Sequence, residues 1–162
     1  AQLQRDAVPF EPQVLELELL LRPNLALYET LAASKNIQLN AIDIPSNPIL
    51  TDPNMADTVL RNLIQNAIKF TPENGSVTVS AHVDREWMWV QISDTGIGIP
   101  TELIDSIFKI DTTLSTPGTK GEVGSGLGLH VCNELIQKCG GKIDVISQEG
   151  QGATFKFSFP LA

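Results

Sequence analysis

The chain is 162 residues long, 42% apolar and 19% charged, a length and balance that suit one domain with a sizeable buried core. Its formal net charge of -8 argues against sequence-independent binding to nucleic acid or contact with an anionic membrane surface. A polyanion bound here must be held locally, by backbone amides, a lysine or a metal.

Residues 1–9 read as a lead-in segment before a domain spanning residues 10–162. No basic-then-apolar leader follows Ala1 and no apolar run reaches spanning length, which predicts neither signal peptide nor anchor in this piece; a cytoplasmic setting is expected, with membrane anchoring of a longer parent left open. Gln13 to Ser34 carries Leu15, Leu19, Leu25, Leu27 and Leu31 at broadly helical spacing around Arg22-Pro23, predicting a first helix that forms best after the proline. Ile37, Leu39 and Ala41 alternate as a strand would; Pro45 to Pro48 punctuates the chain before a short extended piece at Ile49-Leu50. Asp52-Pro53 marks a helix start, because Asp accepts from first-turn amides and Pro loses no needed bond there. The helix runs to about Phe70, with Met55, Val59, Leu63 and Ala67 on one line and Leu60, Ile64 and Ile68 widening the apolar face, before Thr71-Pro72 ends it.

Ser76 to Val83 and Trp87 to Ser93 read as a hairpin around Asp84-Arg85-Glu86. Thr101 to Val123 opens with a short helical stretch ending near Phe108-Lys109, then turns rich in Thr, Ser, Gly and Pro, the composition of a covering loop. Gly126 to Cys139 is a second strong helix stopped by Gly140-Gly141. Lys142 to Ser147 and Ala153 to Phe159 form a second hairpin around Gln148 to Gly152, with Ala153, Phe155, Phe157 and Phe159 alternating onto one face. Together these elements predict an α/β two-layer sandwich, its helices packed on one face of a mixed, largely antiparallel sheet. Cys132 and Cys139, seven apart on the second helix, are expected to be buried reduced thiols, and neither they nor His82 and His130 show zinc-ligand spacing.

Three stretches carry chemistry. Asn62, Asn66 and Lys69 stand at i, i+4 and i+7 on the Pro53 helix, so one narrow stripe presents two amides and an ammonium. An amide oxygen is a hard, neutral ligand suited to a magnesium held mainly by phosphate oxygens, and Lys69 supplies a point charge for phosphate. The same stripe, extended by Arg61 and Gln65, also fits the solvated side of an amphipathic helix. Asp94 ends a strand and is followed by Gly96 and Gly98, which let backbone approach a planar base. Its carboxylate can accept from the exocyclic amine of adenine, which guanine lacks at that edge. A strand-ending Asp in a glycine turn is the plainer account. Gly124-Ser-Gly126-Leu-Gly128-Leu129 opens the second helix, where first-turn amides receive anions, although close packing on the sheet explains glycines there as well.

In this order the motifs resemble those of the catalytic, ATP-binding domain of bacterial-type sensor histidine kinases, in the wider group that includes gyrase-, Hsp90- and MutL-type ATPases. Asn62 to Pro72 is similar to the asparagine box, Asp94 to Pro100 to the first glycine box, Ile107-Phe108 to the phenylalanine box and Gly124 to Leu129 to the second glycine box. The resemblance runs from about Phe10 to Leu161 and implies the Bergerat-type sandwich. It implies ATP and Mg2+ as cofactors, with Asn66 as the metal ligand, Asn62 and Lys69 on phosphates, Asp94 on the adenine amine, and Phe108 through Val123 as an ATP lid within about residues 101–123. Nucleotide contacts are further implied at Phe70, Gly96, Gly98, Ile99, Phe108, Lys120, Gly124, Ser125, Gly126, Leu127, Gly128 and Leu129.

Hydrolytic members of the wider group place a glutamate where Asn62 stands. An amide cannot take a proton from water at neutral pH, so Asn62 favours a kinase that holds ATP intact over an ATPase. The intact motifs weigh against a non-catalytic adenine-nucleotide sensor, which stays the other alternative because a binding site and a transferring site look alike without the acceptor. The accepting histidine of these kinases lies on a preceding dimerising helix pair next to an acidic residue, a pattern that neither His82 nor His130 fits. The expected partners are therefore that helical domain of the same kinase and, through it, a response regulator. The isolated piece is expected to be monomeric and unable to phosphorylate itself.

Overall fold

The structure, a computed structural model, describes residues 9–109 and 128–162. In chain order it contains β1 (Gln13–Glu16), α1 (Glu18–Ser34), β2 (Gln38–Ile42), β3 (Pro48–Thr51), α2 (Pro53–Lys69), β4 (Ser76–Asp84), β5 (Trp87–Asp94), α3 (Thr101–Ile104), α4 (Gly128–Lys138), β6 (Ile143–Ser147) and β7 (Ala153–Pro160). Five strands form one sheet in the order β2-β4-β5-β7-β6. β2 runs parallel to β4 and the other neighbours are antiparallel, the mixed arrangement expected.

Alternation along the strands sorts the two faces of this sheet. Val77 and Val79 of β4, Met88, Val90 and Ile92 of β5, and Phe155, Phe157 and Phe159 of β7 are buried. Trp89, Gln91, Thr154 and Lys156 alternate with them and stay half-buried. The register sets Val90 opposite Phe157 and Ile92 opposite Phe155, and Phe157 meets Phe159 edge to face at 5.7 Å between centroids, a favoured aromatic geometry. The other layer centres on α2, which buries Met55, Val59, Leu60, Leu63, Ile64, Ala67 and Ile68 and packs against both α1 and α4.

The start of α2 follows its sequence signal. Asp52 Oδ1 accepts from the Asn54 and Met55 amides at 2.9 and 3.2 Å, and Oδ2 accepts from Glu11 N at 2.9 Å, tying the preceding segment to the helix start. The first helix differs from expectation. Gln13–Glu16 is a strand, antiparallel to β3 with Gln13 opposite Thr51 and Glu16 opposite Pro48, and α1 begins at Glu18 and runs through Pro23. Long-range pairing of a mostly exposed strand leaves no periodic trace, and buried Leu17 at the α1 N-cap offers no side-chain acceptor to mark the boundary. Pro23 forfeits one bond, to the carbonyl of exposed Leu19, early in the helix. Beside it, buried Asn24 donates Nδ2 to Leu20 O and to Asp57 Oδ1, both at 2.8 Å, linking α1 to α2.

The helical stretch before Phe108 is also shorter than expected, ending at Ile104. Cys132 and Cys139 are free and buried; burial pushes the Cys132 thiol up to about 12, so it stays protonated and unreactive at neutral pH. Among the described residues no helix is long and apolar enough to cross a membrane.

Replacing Asp52 by Ala removes the acceptor for three amides and should lower stability by about 1–2 kcal/mol in chemical denaturation. Neither cysteine should react with Ellman's reagent in the folded chain at neutral pH, and both should react once it is unfolded.

Candidate nucleotide-binding site

The turn after β5 is held from several directions. Asp94 Oδ1 accepts from Gly96 N at 2.8 Å and from Ala153 N, at the start of β7, at 3.2 Å. Neither bond uses Oδ2. Ile97 N donates to Phe70 O at 3.1 Å, Gly150 N donates to Ile97 O at 2.7 Å, and Ile99 N donates to Ser147 Oγ at 2.8 Å. Gly96 and Gly98 are required by this closeness. A Cβ on Gly96 would stand 2.3 Å from Phe70 O, and Gly98, at φ +73, would bring one to 2.3 Å from Gln148 O. The loop is thus built against the end of α2 on one side and the β6–β7 turn on the other.

Burial raises the Asp94 pKa, and the amides of Gly96 and Ala153 counter part of that rise by bonding the carboxylate.

On α2, Asn62 and Asn66 are half-buried, whereas Arg61 and Gln65 are exposed. Lys69 is only 8% exposed, with Nζ 4.8 Å from the centre of the Phe70 ring. The amide stripe is therefore distinct from the solvated side of the helix. Asn62 Nδ2 donates to Thr58 O at 2.9 Å, and its Oδ1 lies 3.0 Å from the place a Cβ on Gly128 would occupy, so α2 meets the first residue of α4 at this side chain. Phe108 packs edge-on to Phe155 with centroids 6.2 Å apart, and its carbonyl is 3.2 Å from His130 Nδ1. His130 Nε2 is 3.2 Å from Glu134 Oε1. Leu129, next to it on α4, is half-buried. Lys120, Gly124, Ser125, Gly126, Leu127 and the rest of the expected lid beyond Lys109 lie outside the described residues.

Asn66, Lys69 and Phe70 at the end of α2 were expected in the site, but the hydrogen bonds that hold this end were not foreseen. Phe70 N donates to Asn66 O at 3.0 Å, Thr71 Oγ1 to Ala67 O at 2.7 Å, and Thr71 N to Ile68 O at 3.3 Å. Lys35 Nζ donates to Ile68 O at 2.9 Å and to Lys69 O at 3.2 Å. With Ile97 N on Phe70 O, each of the five carbonyls from Asn66 to Phe70 has a donor. Lys35 and Ser147 carry no local signal of this role, since a lysine after a helix and a serine ending a strand both read as surface residues. Among the described residues no group of three or more His, Cys, Asp or Glu is placed to hold a metal.

Residues 51–162 match the family described as histidine kinase-, DNA gyrase B-, and HSP90-like ATPases. The chain belongs to that family. It is 36% identical over 159 residues to the adaptive-response sensory kinase SasA of Synechococcus elongatus, covering 96% of this chain and 40% of that protein. The chain thus spans well under half the length of the curated relatives it matches. Among solved structures, the nucleotide-free catalytic domain of histidine kinase ThkA superposes with a TM-score of 0.80 at 30% identity, covering 93% of this chain and 98% of that one. Full-length ShkA in complex with AMPPNP superposes at 0.81 with 29% identity over 96% of this chain and 32% of that one. ThkA in complex with response regulator protein TrrA superposes at 0.79 with 26% identity, covering 99% of this chain and 46% of that one. The fold is the Bergerat sandwich of histidine kinase catalytic domains, as expected from the sequence.

Asp94→Asn keeps an Oδ1 acceptor for both amides while removing a buried charge. Because the folded pKa lies above the ordinary 3.8, ionised Asp94 opposes folding at neutral pH; the penalty vanishes below 3.8, where folded and unfolded carboxyls are both protonated. In thermal melts the variant should therefore be the more stable at pH 7, its advantage shrinking as the pH falls toward that value.

Proposed function

We propose that the chain binds Mg-ATP and, as the catalytic part of a longer two-component kinase, donates the γ-phosphoryl group to a histidine on a separate helical dimerisation domain. The observation that carries this reading is Asn62. It is an amide at the meeting of α2 with the first residue of α4, where the hydrolytic members of the wider group would need a carboxylate to activate water. The similarity to SasA and to histidine kinase catalytic domains over almost the whole chain supports the same choice.

The residues divide the work by chemistry. Asp94, with Oδ1 engaged by two amides, offers Oδ2 to the adenine amine, and Gly96, Gly98 and Ile99 let the base lie against backbone. Lys69 and Asn62 face the phosphates, with Phe70 beside them. Asn66 would hold magnesium through a neutral amide oxygen, which suits a site with no acidic cluster among the described residues. Magnesium bound with the nucleotide supplies neutralisation of phosphate charge. Phe108, packed on Phe155, stands where the resemblance begins the lid; Lys120 and Gly124 to Leu129 are the further residues it assigns to nucleotide, of which Gly128 and Leu129 lie among the described residues. Transfer then needs mainly positioning and charge neutralisation in a site shielded from water. The response regulator that takes the phosphoryl group onward is a partner of the longer protein, as TrrA is of ThkA.

Calorimetry should show ATP and ADP binding, strengthened by magnesium, with GTP at least about tenfold weaker. Asp94→Asn should weaken ATP by about ten- to a hundredfold through loss of a charge-assisted hydrogen bond, and Asn66→Asp should alter the magnesium dependence. The chain alone should not label itself with radioactive ATP but should label an added helical domain in trans. Equal ATP and GTP affinity would sink the adenine assignment, and steady ATP turnover at enzymatic rates would favour the hydrolytic reading.

A further inference from the structure

Lys35 is a cation that the proposed chemistry does not use, yet it is only 2% exposed. Burying an ammonium is expensive unless it is satisfied. Its Nζ donates to Ile68 O at 2.9 Å and to Lys69 O at 3.2 Å, at the α2 terminus where the helix dipole is negative. Its own backbone is fixed as well, because Lys35 N donates to Ala32 O and Asn74 N donates to Lys35 O, both at 3.1 Å. Asn36, with φ 52, turns the chain out of α1, and its Nδ2 bonds Asn74 Oδ1.

We propose that Lys35 is a positioning residue for the nucleotide site, holding the last turn of α2 so that Lys69 meets the phosphates. This rests on the nucleotide-binding reading given above. The bond to Lys69 O constrains the backbone of the residue whose ammonium is assigned to phosphate, and the next carbonyl, Phe70 O, receives Ile97 N of the adenine-side loop. Removing the Lys35 ammonium takes from the Lys69 carbonyl a charged donor in a buried setting. The helix end must then shift or fray to find another donor, moving Lys69 with it.

The test is a double-mutant cycle on ATP affinity, with Lys35→Met, Lys69→Met and the double variant measured by calorimetry at low temperature, folding being checked by near-ultraviolet circular dichroism. Each single variant should bind ATP about tenfold more weakly, and the double should be no weaker than the weaker single, because both remove the same phosphate contact. Thermal melts supply the contrast: a purely structural Lys35 lowers the unfolding temperature but leaves the affinity of the folded variant at the native value. That result, or losses that multiply to about a hundredfold in the double variant, would overturn the proposal. Should Lys35→Met fail to fold, Lys35→Gln takes its place in the cycle under the same criteria. In the native chain the Lys35 ammonium should give a slowly exchanging resonance in 1H–15N spectra, and rapid exchange with water would overturn the geometry. A native chain that binds no ATP would instead sink the nucleotide reading on which the inference depends.

Discussion

A helix that ends inside a protein leaves its final carbonyls without partners, and here the helix carrying Asn62, Asn66 and Lys69 ends in a buried place. Thr71 and Lys69 are both buried, so water is a poor source of donors for that turn. The requirement is met by drawing in groups from different parts of the chain: the residue after the helix, the turn after α1 and the loop after β5. Because one of those donors is Ile97 N, satisfying the helix also fixes the loop that follows Asp94. Two stretches assigned to the nucleotide, separate in sequence, become parts of one hydrogen-bonded corner.

Asp94 shows the complementary constraint. A carboxylate removed from water is disfavoured, and the raised pKa reflects it. Amides from Gly96 and Ala153 return part of that loss. An acceptor fixed by backbone on both sides cannot swing away to solvent, so the cost of burying the group comes with a direction for it. This is preorganisation in an ordinary sense: the site is shaped before anything enters it, and binding need not order these atoms again.

How much of this was legible in the sequence depended on whether the cause was local. The α2 boundaries followed from Asp52-Pro53 and Thr71-Pro72, and its buried face from 3.6-residue spacing, because capping and amphipathicity act within a few residues. The alternation of Phe155, Phe157 and Phe159 likewise announced a sheet with one buried face. β1 was invisible: its partner is β3, more than thirty residues away, and nothing in Gln-Val-Leu-Glu distinguishes it from the turn of a helix. Lys35 and Ser147 were missed for the same reason, since their hydrogen bonds reach residues distant in the chain. The motif residues were assigned from the pattern of types alone, and one of them, Lys69, read as a projecting charge yet lies almost fully buried.

The bond from Ala153 N to Asp94 has a consequence for the life of the chain on the ribosome. The side chain assigned to the base is aimed by an amide of the last strand in the sheet, and the loop beside it leans on the turn just before that strand. Translation delivers Asn62 and Asp94 long before β7. A nascent chain can hold the helices and the first hairpin and still lack one wall of its pocket, so nucleotide cannot act as an early folding template here. It can be gripped in full only after β7 has docked beside β5, which makes ligand capture a late check that the sheet has been assembled.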